Sequence, residues 1–290
     1  MSSRKLKKKT HKTKKYCSPS NSNTYNFTCF DKKSLIKIAR SWNKKNAKNK
    51  IEIKEKTPKE IWKQIDTKLK KICKDEICWK KQKFFKDIKD KNIKKLFKPK
   101  KPKSWNSNKF EWLSTYDIEK VIKQYEEKYL NFRFIGAVPI DFDEDDGLGK
   151  CIIDELCKID LGKMLLAKIF QIGIVFNLDT HDQEGSHWVS MFIDLKKNGI
   201  YYFDSYGSPE PKEVKTLVER LLEQSKKLGK KKMKYKFNQH RHQFRNSECG
   251  VYCINFIVNM LKGHSFDKYT KKVIKDLEMN KKREFYFSPN

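Results

Sequence analysis

The chain has 290 residues and carries 67 Lys and Arg against 36 Asp and Glu, a formal net charge of +31. Its length admits one or two domains, and no segment is long and apolar enough to span a bilayer. The N-terminus is charged with no apolar run behind it, which reads against a secretory signal. The eight cysteines sit in a chain too long and too poor in Gly and Pro for a disulfide-stapled framework, so a reducing compartment is expected.

The charge divides the chain. Residues 1–110 hold 37 Lys and Arg against 9 acids, a net of +28, and residues 111–290 hold 30 against 27, a net of +3. So basic a segment attracts polyanions through counterion release. Its lysine bias points to nonspecific nucleic-acid binding through residues 1–110 rather than base readout. The plain alternative is a solvated lysine-rich arm. Residues 1–28 are expected to form a disordered basic tail, since Lys7 to Lys15 contains no apolar side chain.

A basic helical arm is expected over 29–107. Leu35, Ile36, Ile38, Ala39 and Trp42 recur at helical spacing. Thr57-Pro58-Lys59-Glu60 is a helix start: a cap, a proline at the first position and a glutamate three residues after the cap. Ile61, Trp62, Ile65, Leu69 and Ile72 form its apolar face. Lys80 to Phe97 predicts another basic amphipathic helix. Lys98 to Ser104, with two prolines, reads as a linker, which sets the boundary near 108.

The segment 108–290 mixes helix and strand. Ser114 caps a helix to about Leu130, and Phe132 to Val138 is a strand stopped by Pro139. Asp141 to Asp146 is an acidic loop that does not complete a calcium-site spacing. Residues near 151–168 are helical, and Ile172 to Leu178 is a buried strand. A hairpin follows, turning at Asn198-Gly199 and ending at Phe203. Pro211 opens a helix to about Leu228, and Met233 to Phe237 alternates like a strand. A helix from Cys249 to about Leu261 is apolar on nearly every side and belongs in the core. A final helix precedes Phe285.

Four residues on these elements make a candidate catalytic set. In a hairpin the start of the first strand lies beside the end of the second. His187 and Asp204 are therefore expected to be neighbours, although 17 positions apart. A carboxylate beside an imidazole orients it and holds one tautomer. Cys249 stands where a polar loop becomes a helix. The partial positive charge of a helix start favours an anion, and the thiolate is the nucleophilic form of cysteine. The Gln243 amide, six residues earlier, is a donor suited to a developing oxyanion. Cys253 reads as packing, and His240 and His242 as polar loop residues. No cysteine pair has the spacing and flanking His of a zinc site, so no metal or cofactor is expected.

The order His187, Asp204, Gln243, Cys249 resembles the Ulp1-type cysteine proteases, a family that includes the adenain-type maturation proteases of adenoviruses. The matching pieces are His187-Trp188, Tyr202-Phe203-Asp204-Ser205, and Gln243 with Ser247-Glu248-Cys249-Gly250-Val251-Tyr252. The likeness covers about residues 111–265. Ser-Glu-Cys-Gly in place of the cellular Asp-Cys-Gly form is similar to the branch found in large cytoplasmic DNA viruses, as are residues 112–118 and 136–142. The resemblance implies a papain-like α+β fold, with Cys249 as nucleophile, His187 as base, Asp204 as its orienting acid and Gln243 in the oxyanion hole. It implies a protein substrate cut after glycine. The viral branch implies cleavage of structural polyproteins during virion maturation, in the virion and the host cytoplasm. Trp188 is expected to wall the cleft and restrict the substrate to small residues near the cut.

Three rivals stay open. The same site can act as an isopeptidase on SUMO- or ubiquitin-like modifiers. The same His–acid–Cys set serves acetyltransferases of the bacterial effector type, which need a coenzyme A pocket and an inositol-phosphate site; the sequence carries no signature of either. A nucleic-acid-binding virion protein with an inactive protease domain accounts for the arm but leaves the intact set unexplained.

Overall fold

The computed structural model describes residues 16–22, 25–229 and 233–289. The chain divides into two compact units, Met1–Pro102 with Phe287–Asn290, and Lys103–Tyr286. The division falls a few residues before the expected boundary at 108. The end of the chain belongs to the first unit, where Ser288 N–H donates to Pro99 O at 2.8 Å and Lys101 N–H to Ser288 O at 2.9 Å.

In the first unit, α1 (Lys32–Lys45) starts at Asp31, whose side chain accepts the Ser34 N–H at 2.7 Å. Helix α2 (Pro58–Leu69) starts on the capping box that its sequence predicts, with Thr57 and Glu60 exchanging hydrogen bonds. Ile61, Trp62, Ile65 and Leu69 are buried, but Ile72 lies beyond the helix end and is 67 % exposed. The single helix expected over 80–97 is absent. After a short α3 (Glu76–Trp79), two short helices take its place: α4 (Lys83–Lys86) and α5 (Lys91–Lys95). The buried residues Ile77, Trp79, Phe84, Phe85, Ile93 and Phe97 do not fall on one helical stripe. Breaking the helix lets each reach a common core, where Phe30 meets Trp79 and Phe97 at ring-centroid distances of 6.1 and 5.3 Å. Of the expected tail, residues 1–15, 23 and 24 lie outside the described residues. Its described part is not loose: Ser18, Phe27 and Thr28 are buried.

The cysteines pair although no disulfide framework is expected of them. Six of them form disulfides, Cys17–Cys29, Cys73–Cys78 and Cys151–Cys157, while Cys249 and Cys253 are free. The partners are 12, 5 and 6 residues apart, with Cα atoms at 5.3, 5.3 and 6.3 Å, within the reach of a bridge. These are local clips across short loops, which a search for a mini-domain framework does not detect.

The second unit is α+β. Ser114 and Asp117 form a capping box at the start of α6 (Thr115–Lys128), followed by β1 (Phe132–Val138). Two short helices, α7 (Asp154–Cys157) and α8 (Leu161–Leu166), precede β2 (Gln171–Asn177), β3 (Trp188–Asp194) and β4 (Gly199–Phe203). Then come α9 (Lys212–Lys227), β5 (Lys234–Phe237), α10 (Cys249–Leu261), α11 (Phe266–Lys271), α12 (Asp276–Lys281) and α13 (Arg283–Tyr286). The strands lie in the order β1-β2-β3-β4-β5. The outer pairs are parallel and the inner pairs antiparallel. The β3–β4 hairpin turns through Asn198 at φ 51°, a left-handed conformation that asparagine tolerates.

Helix α10 packs on β3 with α6 alongside, and every residue of it but Asn259 is buried. Its Phe256 stacks on Phe203 of β4 at 5.0 Å. Burying side chains of this size contributes about 1.5–3 kcal/mol each, so this helix is firmly held. A Cβ at Gly250 would come within 3.0 Å of Leu113 Cβ. Glycine therefore lets the segment before α6 close over the first turn of α10.

Candidate active site

His187 sits immediately before β3 and Asp204 immediately after β4. The hairpin register, Ser190 opposite Phe203, brings these two ends together. His187 Nε2–H donates to Asp204 Oδ1 at 2.6 Å. Asp204 is also the turn residue its sequence suggests. Its Oδ1 accepts the Tyr206 N–H at 2.9 Å and its Oδ2 the Ser208 N–H at 3.3 Å. Fixed at three points, the carboxylate has little freedom to rotate away from the imidazole.

With Nε2 turned to Asp204, Nδ1 is left free of it, and the Cys249 side chain lies near enough to act on the charge of the imidazole. Cys249 is the first residue of α10, and it is 1 % exposed against 8 % for His187. Burial works to lower the His187 pKa. The hydrogen bonds to Asp204 and Cys249, with their negative charges, overcome it and raise the value to about 9. An imidazole so placed can hold its proton beside a thiolate. Cys253 differs. Burial first, and then the nearby Cys249, push its pKa well up, so it remains a thiol packed in the core.

Gln243 is fully buried on the loop between β5 and α10. Its Oε1 accepts the Ser205 hydroxyl at 2.7 Å, and its Nε2 donates to Arg245 O. A carbonyl can only accept, so the group facing Arg245 is the NH₂ and the amide orientation is fixed. The second N–H of that group has no hydrogen-bond partner among the described residues. Ser205 O also accepts the backbone N–H groups of His242 and Gln243, at 2.8 and 2.9 Å. The residue after Asp204 thus ties the acid's strand end to the glutamine loop.

Trp188 is buried, and its indole N–H donates to Leu113 O at 2.9 Å. With Trp112, Leu113, Pro139, Ile153 and Gly185 it lines a cavity of ≈ 570 Å³. Among the described residues no group of three or more His, Cys, Asp or Glu is set to hold a metal ion. No helix among them is long and apolar enough to cross a membrane.

Residues 165–289 match the Ulp1 protease family, C-terminal catalytic domain. Over 289 residues the chain is 34 % identical to a protein of Acanthamoeba polyphaga mimivirus named as a thiol protease, covering 93 % of this chain and 92 % of that one. The chain belongs to the Ulp1 family of cysteine proteases. This Ulp1-family protease is also 27 % identical to the SUMO-1 cysteine protease of African swine fever virus, over 60 % of this chain and 67 % of that one. The crystal structure of the African swine fever virus protease shares the fold, with a TM-score of 0.64 at 21 % identity over 95 % of this chain and 96 % of that one.

Several residues that brace the site of this Ulp1-family protease have no local sequence signal. Asp276 Oδ2 accepts the backbone N–H groups of Phe244 and Arg245, at 3.0 and 3.1 Å, pinning the loop that follows Gln243. His242, immediately before Gln243 on the same loop, is 1 % exposed. It accepts the Ile274 N–H at Nδ1 and donates to Thr270 O from Nε2. Burial lowers its pKa, so it sits there neutral. Glu248, immediately before Cys249, is held by Arg283 and Asn280. These partners lie 28 to 35 positions away, beyond any spacing rule.

Proposed function

We propose that Cys249, His187 and Asp204 form the catalytic triad of a thiol endopeptidase and that Gln243 supplies an oxyanion donor. The observation that carries this reading is the His187–Asp204 hydrogen bond, with the free thiol of Cys249, on a helix start, acting on the same imidazole. His187 takes the Cys249 proton. The thiolate attacks the scissile carbonyl, and its oxygen gathers negative charge. The free N–H of Gln243 and the Cys249 backbone N–H, unpaired at the helix start, receive that charge; losing one such donor costs about 10²–10³ in rate. The imidazolium returns its proton to the leaving amine, and water, activated by His187, releases the acid from Cys249.

The substrate side of the proposal is cleavage after glycine in a structural polyprotein, with Trp188 walling the cleft. Its support is the kinship with viral thiol proteases. A second reading, isopeptidase action on a SUMO-like modifier, is favoured by the name of the African swine fever virus relative. The experiment sets a library of Gly-Gly-containing peptides beside SUMO and ubiquitin fusions. The polyprotein reading expects peptides cut after glycine, fusions cut no faster, and no turnover by folded Cys249→Ala. Cleavage confined to the fusions supports the second reading, and turnover by the alanine variant removes the covalent mechanism.

A further inference from the structure

Tyr206 touches His187 and Asp204 and shares an acceptor with the Gln243 amide, yet the mechanism above gives it no task. Its ring stacks on the His187 imidazole, with centroids 4.5 Å apart and planes 20° from parallel. Its backbone N–H donates to Asp204 Oδ1, the oxygen that also accepts from His187. Its hydroxyl donates to Arg245 O at 3.5 Å, the carbonyl that also receives the Gln243 amide. The Arg241 guanidinium lies 5.4 Å from its ring centroid, and Arg241 Nε–H donates to Gln243 O at 2.9 Å. Tyr206 is half-buried and stands outside the apolar core of its unit, so core packing does not account for it.

We infer that Tyr206 is a positioning residue, whose ring holds the His187 imidazolium in line with Cys249 and whose hydroxyl couples that ring to the Gln243 loop. The inference rests on the proposed triad. An imidazole anchored through one nitrogen can swing about that hydrogen bond, and the swing carries Nδ1 away from the thiol. A ring stacked at van der Waals distance blocks the swing. An aromatic face also attracts a cation, so the stack favours the protonated imidazole over the neutral one. The charged and titratable groups around His187 are the Asp204 carboxylate, the Cys249 thiol and the Tyr206 phenol, with the Arg241 cation beyond it. Burial, with Cys249 next, raises the phenol's pKa, so the stacked ring is neutral while the site works.

The test compares Tyr206→Phe with Tyr206→Leu by two readouts. One is kcat and KM on a Gly-Gly peptide. The other is the pH dependence of Cys249 alkylation by iodoacetamide, which reports the thiolate–imidazolium pair without any peptide. Tyr206→Leu is expected to lower kcat roughly tenfold at little cost in KM and to move the high-pH limb of alkylation downward. Tyr206→Phe keeps the stack and should restore that limb, retaining a smaller kcat deficit from the lost hydroxyl. The inference is overturned if Leu matches the wild type in both readouts, if kcat falls with the limb unmoved, or if Phe and Leu shift the limb equally. A wild type that cuts no peptide counts against the proposed substrate alone, because the alkylation profile still decides the role of Tyr206.

Discussion

Arg283 and Glu248 form an ion pair, Nε to Oε2 at 3.0 Å, with 4 % and 1 % of their surfaces exposed. Glu248 precedes Cys249, so a residue from the end of the second unit fixes the approach to α10. Arg283 Nη2 also donates to Ser247 O at 3.0 Å, and Asn280 Nδ2 to Glu248 Oε1 at 2.8 Å. The glutamate in Ser-Glu-Cys-Gly is thus the buried half of a long-range pair. Removing one partner strands a charge in the interior, which costs about 3–5 kcal/mol. Arg283→Ala should lower the denaturant midpoint accordingly. The double variant Arg283→Met with Glu248→Met should lose far less, because both charges go together. An unchanged midpoint in Arg283→Ala would remove this pair from the site's support.

The pH dependence follows from His187. Its pKa is raised from an ordinary 6.5 to about 9. Below about 9 the imidazole keeps its proton; above it the proton leaves. The kcat/KM is expected to fall as pH rises through about 9. The same shift stabilises the fold fully below 6.5, and that contribution is lost as pH rises from 6.5 through 9. In Cys249→Ala two of the raising influences vanish while burial remains, so His187 should titrate lower. An NMR titration of the imidazole in both proteins checks this, and equal values would contradict it.

Asp204→Asn should be milder than His187→Ala. An asparagine carbonyl at the Oδ1 position can still accept from His187 and from the Tyr206 N–H, preserving the orientation. The loss falls on the charge and on the contact with Ser208, since an NH₂ group cannot accept its N–H. His187→Ala removes the proposed base altogether. Steady-state rates of the purified, folded variants decide the point. Equal losses would mean that the carboxylate's charge, and not its geometry, does most of the orienting work.

The adjacency of His187 and Asp204 is readable from sequence because hairpin geometry is a local property. Asn198-Gly199 sets the turn, the turn sets the register, and the register brings position 187 to position 204. Cys249 was readable for the same reason, at the seam between a polar loop and an apolar run. The bracing was not. Asp276 and Arg283 reach the site from helices well downstream in the chain, a separation that no period or cap encodes. The helix expected over 80–97 failed because its apolar residues serve a core instead of a face. The disulfides were missed because each closes a short local loop, leaving no framework spacing to read.

The basic N-terminal segment is expected to bind nucleic acid or another polyanion and so bring the enzyme to its substrate. Its net charge is +28 over residues 1–110, against +3 for the remainder. The first unit has its own aromatic core, and Lys59, Lys63, Lys70 and Lys74 are exposed around α2. Removing the whole segment is a poor test, because Ser288 pairs with Pro99 and Lys101 and would lose its partners. Four Lys→Gln changes at these positions leave the core intact. Full-length protein should bind duplex DNA with an affinity that falls steeply with salt, the slope in log–log form being about −0.9 per phosphate neutralised. The Gln variant should bind more weakly with a shallower slope, while kcat/KM on a short peptide stays at the wild-type level. If both proteins bind DNA equally weakly at low salt, the arm does not localise the enzyme. If peptide cleavage falls with the lysines, the first unit takes part in handling substrate.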